Sequence, residues 1–273
     1  MTLGNTSMQQ PDELLRRYGP WALVTGASSG IGREFAVRLA EKGFSIVLCA
    51  RRRGELEQLA SELSSRFGAR TQIEVIDLSS AGAGSELAGR VRGMGVGVLV
   101  CAAGFGTSGR FVKGDLKSEL EMVDVNCRSV AELVWHVGGE MSLRRRGAIV
   151  LLSSLVGFQG VPRAANYAAT KAYVQSLAEG LRVELAEDGV DVIACAPGPI
   201  RSGFAARAGM VMGLSQGPGA VAGATLRALR SRRGTVRPGA VSKLLGWSLS
   251  TLPRFARVMV LTRIMGQMTR GRD

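Results

Sequence analysis

The sequence predicts an open, doubly wound parallel α/β sheet in a single domain, on three observations. Short apolar runs rich in β-branched residues recur along the chain, separated by segments of helical periodicity, and strands that alternate with helices assemble into parallel sheets. Glycines cluster directly after the first such run, at Gly26, Gly30 and Gly32. The chain has 273 residues and 46% hydrophobic content, enough for one sizeable core, and neither repeats nor low-complexity linkers interrupt its central span.

Taken in order, residues 1–19 read as a leader. Met1–Gln10 is polar and lacks an apolar h-region, so no signal peptide is expected. Pro11–Arg17 suits a short helix ahead of the first strand, Trp21–Thr25. T-G-A-S-S-G-I-G follows at Thr25–Gly32, then a helix through Lys42 and a second strand at Phe44–Ala50. This β-turn-α-β order around a glycine-rich turn is a dinucleotide-binding unit. Glycines there let the backbone approach a pyrophosphate, and the helix N-terminus offers free N–H groups and a positive dipole end. Ser28 and Ser29 can add hydroxyl donors, and Ile31 lies between the last two glycines.

Arg51, Arg52 and Arg53 follow the second strand directly. NAD-specific proteins of this fold place an acid at that strand's end for the ribose hydroxyls, whereas Ala50 followed by arginine suits a 2′-phosphate. Arg52 and Arg53 also suit a solvated helix start. Glu55–Phe67 is the next helix, Thr71–Ile76 the third strand and Val96–Cys101 the fourth, leading into Cys101–Gly104. Asp115–Gly138 reads as one long helix containing Asn126. The fifth strand is Ala148–Leu152, and the helix after its loop carries Tyr173, Leu177, Leu181 and Leu185 four apart. Val190–Ala196 is the sixth strand, Ala220–Arg230 a helix, and Gly234–Gly239 holds a short last strand.

Ser154 lies at the carboxyl end of the fifth strand, where open parallel sheets place their ligands. Tyr167 and Lys171 are i and i+4 on the following helix and project from one face. A hydroxyl, a phenol and an ammonium converging there form a site for polarising and protonating a carbonyl.

S-x12-Y-x3-K (Ser154, Tyr167, Lys171) together with T-G-x3-G-x-G resembles the signatures of the short-chain dehydrogenase/reductases. The resemblance covers about residues 20–235 and implies a Rossmann fold and a nicotinamide cofactor, with the small residue and arginine at 50–51 matching the family's usual NADP(H) pattern. It implies that Tyr167 is the general acid/base, that Ser154 holds the carbonyl oxygen, and that Lys171 binds the nicotinamide ribose and favours the phenolate. Asn126 matches the asparagine that holds a water in the proton relay. Asp77 and Leu78 match the pair beside the adenine, Ala103-Gly104 a close backbone approach, and Pro197, Gly198 and Ile200 the turn beside the nicotinamide, whose following threonine is Ser202 here or is omitted. One departure is C-A-A-G at Cys101–Gly104 where the family has N-N-A-G, which removes the amides that brace the central sheet.

Charge is uneven. Residues 201–273 hold 13 of the 35 Lys/Arg and one acid, Asp273, about +12 of the net +13. Val241, Leu244, Leu245, Leu249 and Leu252 fall on one helical face before Pro253, and Phe255, Val258, Met259, Thr262, Met265 and Met268 form a second stripe among arginines. Residues 239–273 therefore read as a basic amphipathic tail that suits a membrane surface, packing onto the sheet, or a second subunit. The four cysteines are scattered and read as buried thiols of a reducing compartment, so the default location is cytoplasmic, peripheral at the membrane if the tail binds lipid. With His136 as the single histidine no metal site is expected, and no nucleic-acid partner is. A homodimer or homotetramer is expected.

The favoured reading is an NADP(H)-dependent oxidoreductase moving a hydride between the nicotinamide and a carbonyl or secondary alcohol of an apolar substrate. Phe105, Phe158, Val161, Phe204, Met210 and Met212 come from loops expected to line the pocket mouth, and Phe204–Gly217 is the candidate substrate loop. The alternatives are a ketoacyl- or sterol-type lipid reductase at a membrane surface and a non-catalytic NADP-binding regulator.

Overall fold

In the five inner strands of the sheet the apolar residues alternate between two cores. Ala22 and Val24, Ile46 and Leu48, Val98 and Val100, Ala148 and Val150 face one side, and Leu23, Val47, Leu99, Ile149 and Val192 face the other. A strand buried on both faces reads as a continuous apolar run, which is why these segments stand out in the sequence. The computed structural model describes residues 11–201, 203, 215–239, 242–243 and 251–268. Within them, β1 (Trp21–Thr25), β2 (Ser45–Ala50), β3 (Thr71–Val75), β4 (Val96–Cys101), β5 (Gly147–Leu152), β6 (Val190–Cys195) and β7 (Thr235–Val236) form one sheet in the order β3-β2-β1-β4-β5-β6-β7. All neighbours pair in parallel. The order reverses between β1 and β4, which opens the crevice that parallel sheets use for ligands.

The first face is covered by α1 (Glu13–Tyr18), α2 (Gly30–Glu41) and α3 (Arg53–Phe67). The second is covered by α4 (Ala83–Arg90), by a composite helix α5 over residues 116–143, and by α6 (Ala165–Glu184). α7 (Pro218–Arg230) joins the first face through Val221, Leu226 and Leu229, and α8 (Arg254–Met268) lies outside both cores. α5 starts at Asp115, whose carboxylate accepts from the Lys117 and Ser118 amides, and two π turns, Asp124–Arg128 and Val134–Gly138, interrupt it.

Several expectations shift. Leu14 and Tyr18, within the residues expected to precede the domain, are buried in the first core, and Tyr18 donates to Asp191 at 2.9 Å. The long helix runs on to Leu143 instead of stopping at Gly138. On α6 the buried face is Ala168, Lys171, Val174, Gln175 and Ala178, with Leu177, Leu181 and Leu185 packed on its margin and Tyr173 exposed, so the four-residue stripe sits one position off the core. The glycine- and serine-rich stretch Ser79–Ser85 hides α4 from periodicity, which the sequence reading passed over. Of the second expected stripe, Phe255, Met259 and Thr262 are exposed and Val258 is half-buried, Leu261 outside the stripe is buried, and the side chains of Met265 and Met268 lie outside the described residues. Val241, Leu244, Leu245 and Leu249 lie outside the described residues, as do Ser202, Phe204, Met210 and Met212.

Candidate active site

The glycine loop connects β1 to α2 across the crevice. Gly26 has φ +68°, and a Cβ there would lie 2.8 Å from the Ala103 nitrogen and 2.9 Å from its Cα, backbone atoms that cannot yield. A Cβ at Gly32 would strike the Gly26 carbonyl oxygen. The loop is thus held against the β4 terminus by the absence of side chains. Ser29 caps α2 in extended conformation without its side chain bonding the helix, and no acid lies in the first turn. The N–H groups there face the crevice free of any internal anion.

A cavity of about 510 Å³ opens over this loop. Gly26, Ser28, Ser29, Gly30, Ile31, Gly32, Arg51, Arg52, Asp77, Leu78, Ala103 and Gly104, all expected around a cofactor, line it. Ala50, Ile76, Ser79, Ala102, Phe105, Glu121, Val125 and Gly203 complete the wall. The Arg52 guanidinium donates to the Ser28 hydroxyl at 3.0 Å, and Arg51 lies 3.5 Å from Asp77. Burial pushes the Asp77 carboxyl up, but hydrogen bonds from Ser79 and the Arg51 charge outweigh it and hold it below the usual range. Arg53 points away, 68% exposed and paired with Glu57 on its own helix.

The catalytic candidates gather at the end of β5, beside this cavity. Ser154 begins a 3-10 turn, Leu155–Phe158; its hydroxyl accepts from the Val156 amide at 3.4 Å and donates to the Pro197 carbonyl at 3.5 Å. Tyr167 is pushed up to about 12 by burial, offset in part by a hydrogen bond with Ser154. Lys171 is 6% exposed, and burial pushes its ammonium down to about 8. It donates to the Leu152 carbonyl at 2.9 Å and lies 5.8 Å from the Tyr167 ring centre. A Cβ on Gly104 would sit 3.4 Å from the Lys171 Nζ and 2.9 Å from the Asn126 Oδ1, so this glycine lets the cavity meet the catalytic cluster. At the phenol, desolvation outweighs the hydrogen bond with Ser154.

Asn126 is tied to the loop after β4 and to α6 by its side chain. Both of its amide hydrogens are committed, to the Phe105 carbonyl at 2.9 Å and the Thr170 hydroxyl at 3.0 Å, and its Oδ1 accepts from the Phe105 amide. The side chain braces the loop after β4 against α5 and α6, and it sits in the first π turn, a distortion frequent at functional sites. Pro197, Gly198 and Ile200 do not line the cavity; Pro197 accepts from the Leu155 amide at 3.0 Å, the Gly198 amide donates to Ser242, and Ile200 bridges to Gln216.

Two supporting residues escaped the sequence reading. The Thr25 hydroxyl accepts from the Ala102 and Ala103 amides, both at 3.1 Å, and so braces the β1–β4 junction where the C-A-A-G stretch has lost its asparagines. Ser153 donates to the Lys171 carbonyl at 3.0 Å. Thr25 opens the glycine motif and could have been flagged there; Ser153 carries no sequence signal beyond its neighbour. His136 is placed against the Ser85 hydroxyl at 3.2 Å, and no metal-holding cluster occurs among the described residues.

Comparison with known proteins bears on the same span. The short chain dehydrogenase family profile matches residues 20–210. The chain belongs to the short-chain dehydrogenase family. A 7beta-hydroxysteroid dehydrogenase of Clostridium sardiniense is 35% identical over 182 residues, 67% of this chain and 70% of that protein. A very-long-chain 3-oxoacyl-CoA reductase-like protein of Arabidopsis thaliana is 37% identical over 184 residues, which is 65% of this chain but only 59% of that relative's length. Among solved structures, a short-chain dehydrogenase from Sphingobium yanoikuyae in complex with NADPH superposes with TM-score 0.78 at 29% identity, covering 85% of this chain and 93% of that one. A bulky-bulky ketone specific alcohol dehydrogenase from Comamonas testosteroni gives TM-score 0.74 at 28% identity over 86% and 95%. This short-chain dehydrogenase is an oxidoreductase acting between a CH–OH group and a carbonyl.

Proposed function

We propose that the protein is an NADP(H)-dependent reductase of bulky apolar ketones, with Tyr167 as its proton donor. The observation that carries this is the cluster of half-buried Ser154 and Tyr167 with buried Lys171 at the end of β5, open through Gly104 to a cavity lined by the glycine loop and by Arg51 and Arg52. The glycine loop and the first turn of α2 fit a pyrophosphate, Arg51 and Arg52 on the rim fit a 2′-phosphate, and Asp77 and Leu78 fit the adenosine end. The Pro197 carbonyl accepts from the Ser154 hydroxyl, which supports assigning the turn of Pro197, Gly198 and Ile200 to the nicotinamide end. When bound, the nicotinamide supplies or accepts the hydride. The NADPH-bound relative supports the choice of phosphate form.

The chain's own residues handle the proton. A phenol held near 12 stays protonated at neutral pH, so Tyr167 enters reduction as a donor at its Oη. The Ser154 hydroxyl, hydrogen-bonded to that phenol, orients the carbonyl oxygen beside it. The Lys171 ammonium is a nearby cation that stabilises the phenolate left behind. Asn126 positions the Gly104–Phe105 backbone and Thr170 rather than reaching the reacting atoms. The named relatives act on steroids, long-chain 3-oxoacyl groups and bulky ketones, which supports a large apolar substrate. The test is NADPH consumption with a panel of ketones, aldehydes, acyl thioesters and sterols, repeated with Tyr167→Phe. Turnover falls by at least about 100-fold with NADPH affinity kept; wild-type turnover in the variant overturns the assignment.

A lipid-surface location is the second reading. Phe255 (70% exposed) and Met259 (61%) lie one turn apart on α8, whose sequence holds three arginines and no acid. No helix among the described residues is long and apolar enough to cross a membrane, so contact would be peripheral. Co-sedimentation with anionic vesicles, lost in high salt and with residues 240–273 deleted, tests it, since each basic residue near such a surface contributes about 1 kcal/mol. A cytoplasmic location is supported by four free cysteines, three of them buried. A homo-oligomer is supported by exposed Trp135 and Leu143 on α5 and Val183 on α6, and light scattering on the eluted protein decides it.

A further inference from the structure

We infer that the C-terminal helix α8 is part of the substrate site and that Leu261 is a specificity-determining residue. Leu261 is 9% exposed, although its helix neighbours Val260 and Thr262 are exposed. It is buried with Val161, Ala164 and Ala168, and Val156 and the general-acid candidate Tyr167 pack against the same cluster. Val258, three residues earlier and so on the same helical face, reaches Gly160, where an added Cβ would be 3.9 Å from its Cγ2. The helix thus lies across the loop that leads from Ser154 to Tyr167.

This cluster is separate from both sheet cores and holds four buried residues. It is a satellite cluster beneath the loop that leads from Ser154 to Tyr167, beside the two large cores. Its position gives it a role. The carbonyl oxygen of a substrate meets Tyr167, so a bulky apolar substituent on the carbonyl carbon lies among the apolar groups around that ring, or displaces them. Val156, Val161 and Ala164 come from the loop, and Leu261 closes the same cluster from outside the sheet domain. Its volume then limits the size of that substituent. The inference deepens the ketone-reductase reading and rests on it.

The experiment uses the full chain with NADPH and two ketones, one bearing a single ring and one a fused four-ring skeleton. Leu261→Ala shifts the ratio of kcat/KM by at least about tenfold toward the larger ketone, the lower end of what small volume changes in an apolar pocket achieve, and Leu261→Trp shifts it the other way. NADPH affinity, read by fluorescence, stays unchanged. Hydrogen exchange of the wild type with NADP+ and the four-ring ketone gives a readout independent of turnover: residues 156–168 and 254–268 change protection together. Ratios within twofold of wild type in Leu261→Ala, or protection confined to 156–168, overturn the role of α8 while leaving the reductase intact. A wild type that reduces no ketone and gains protection in neither segment overturns the reductase reading, and this inference with it.

Discussion

Replacing Lys171 by Met removes a buried charge while keeping the length of the side chain, and its effect on stability depends on pH in a calculable way. Burial pushes the folded-state ammonium from 10.5 down to about 8. Between those values the unfolded chain binds the proton and the folded chain does not, so stability rises with pH from about 8 and levels off above about 10.5. At 1.36 kcal/mol per pH unit, the full window is worth about 3 kcal/mol, of which about 2 is reached by about pH 9.5. Lys171→Met lacks this gain. Losing the hydrogen bond to the Leu152 carbonyl adds a cost that does not vary with pH. Urea unfolding of both proteins at pH 7 and about 9.5 isolates the effect, because every other titrating group cancels in the difference, Tyr167 included. The wild type should gain about 2 kcal/mol over the variant between the two conditions, and the variant should lose turnover. A difference that stays flat would show that the amine is solvated, and the buried cation beside Tyr167 would have to be abandoned.

Cofactor choice is checked by titrating NADPH and NADH: a charge-assisted contact of roughly 1.5–3 kcal/mol gives about tenfold or more in favour of NADPH. Arg51→Ala and Arg52→Ala should each narrow that gap with NADH affinity little changed, and equal wild-type affinities would refute the pairing. Thr25→Val keeps the shape of the side chain but takes the hydroxyl from the Ala103 amide, while the Ala102 amide keeps the Val100 carbonyl, so unfolding free energy should drop by about 1–3 kcal/mol. Gly26→Ala forces a Cβ onto Ala103 at positive φ, and calorimetry should find nucleotide binding abolished or weakened by more than about tenfold.

The inner sheet was legible because its five strands are buried on both faces and read as unbroken apolar runs, and the crevice was legible because glycines mark it. Ser154, Tyr167 and Lys171 could be placed together from spacing alone: strand end, helix start and the i, i+4 relation are local geometry. What spacing could not supply was solvation. That Tyr167 is raised and Lys171 lowered follows from how many distant segments close over them, which no local pattern records. The same holds for braces across the sequence, such as Thr25 to Ala102 and Asn126 to Phe105 and Thr170, where a hydroxyl or amide finds a partner tens of residues away. The inward face of the tail was decided by its docking site. Apolar residues run all around Arg254–Met268, so periodicity named no unique buried face, and only contact with Val161, Ala164 and Ala168 selected Leu261.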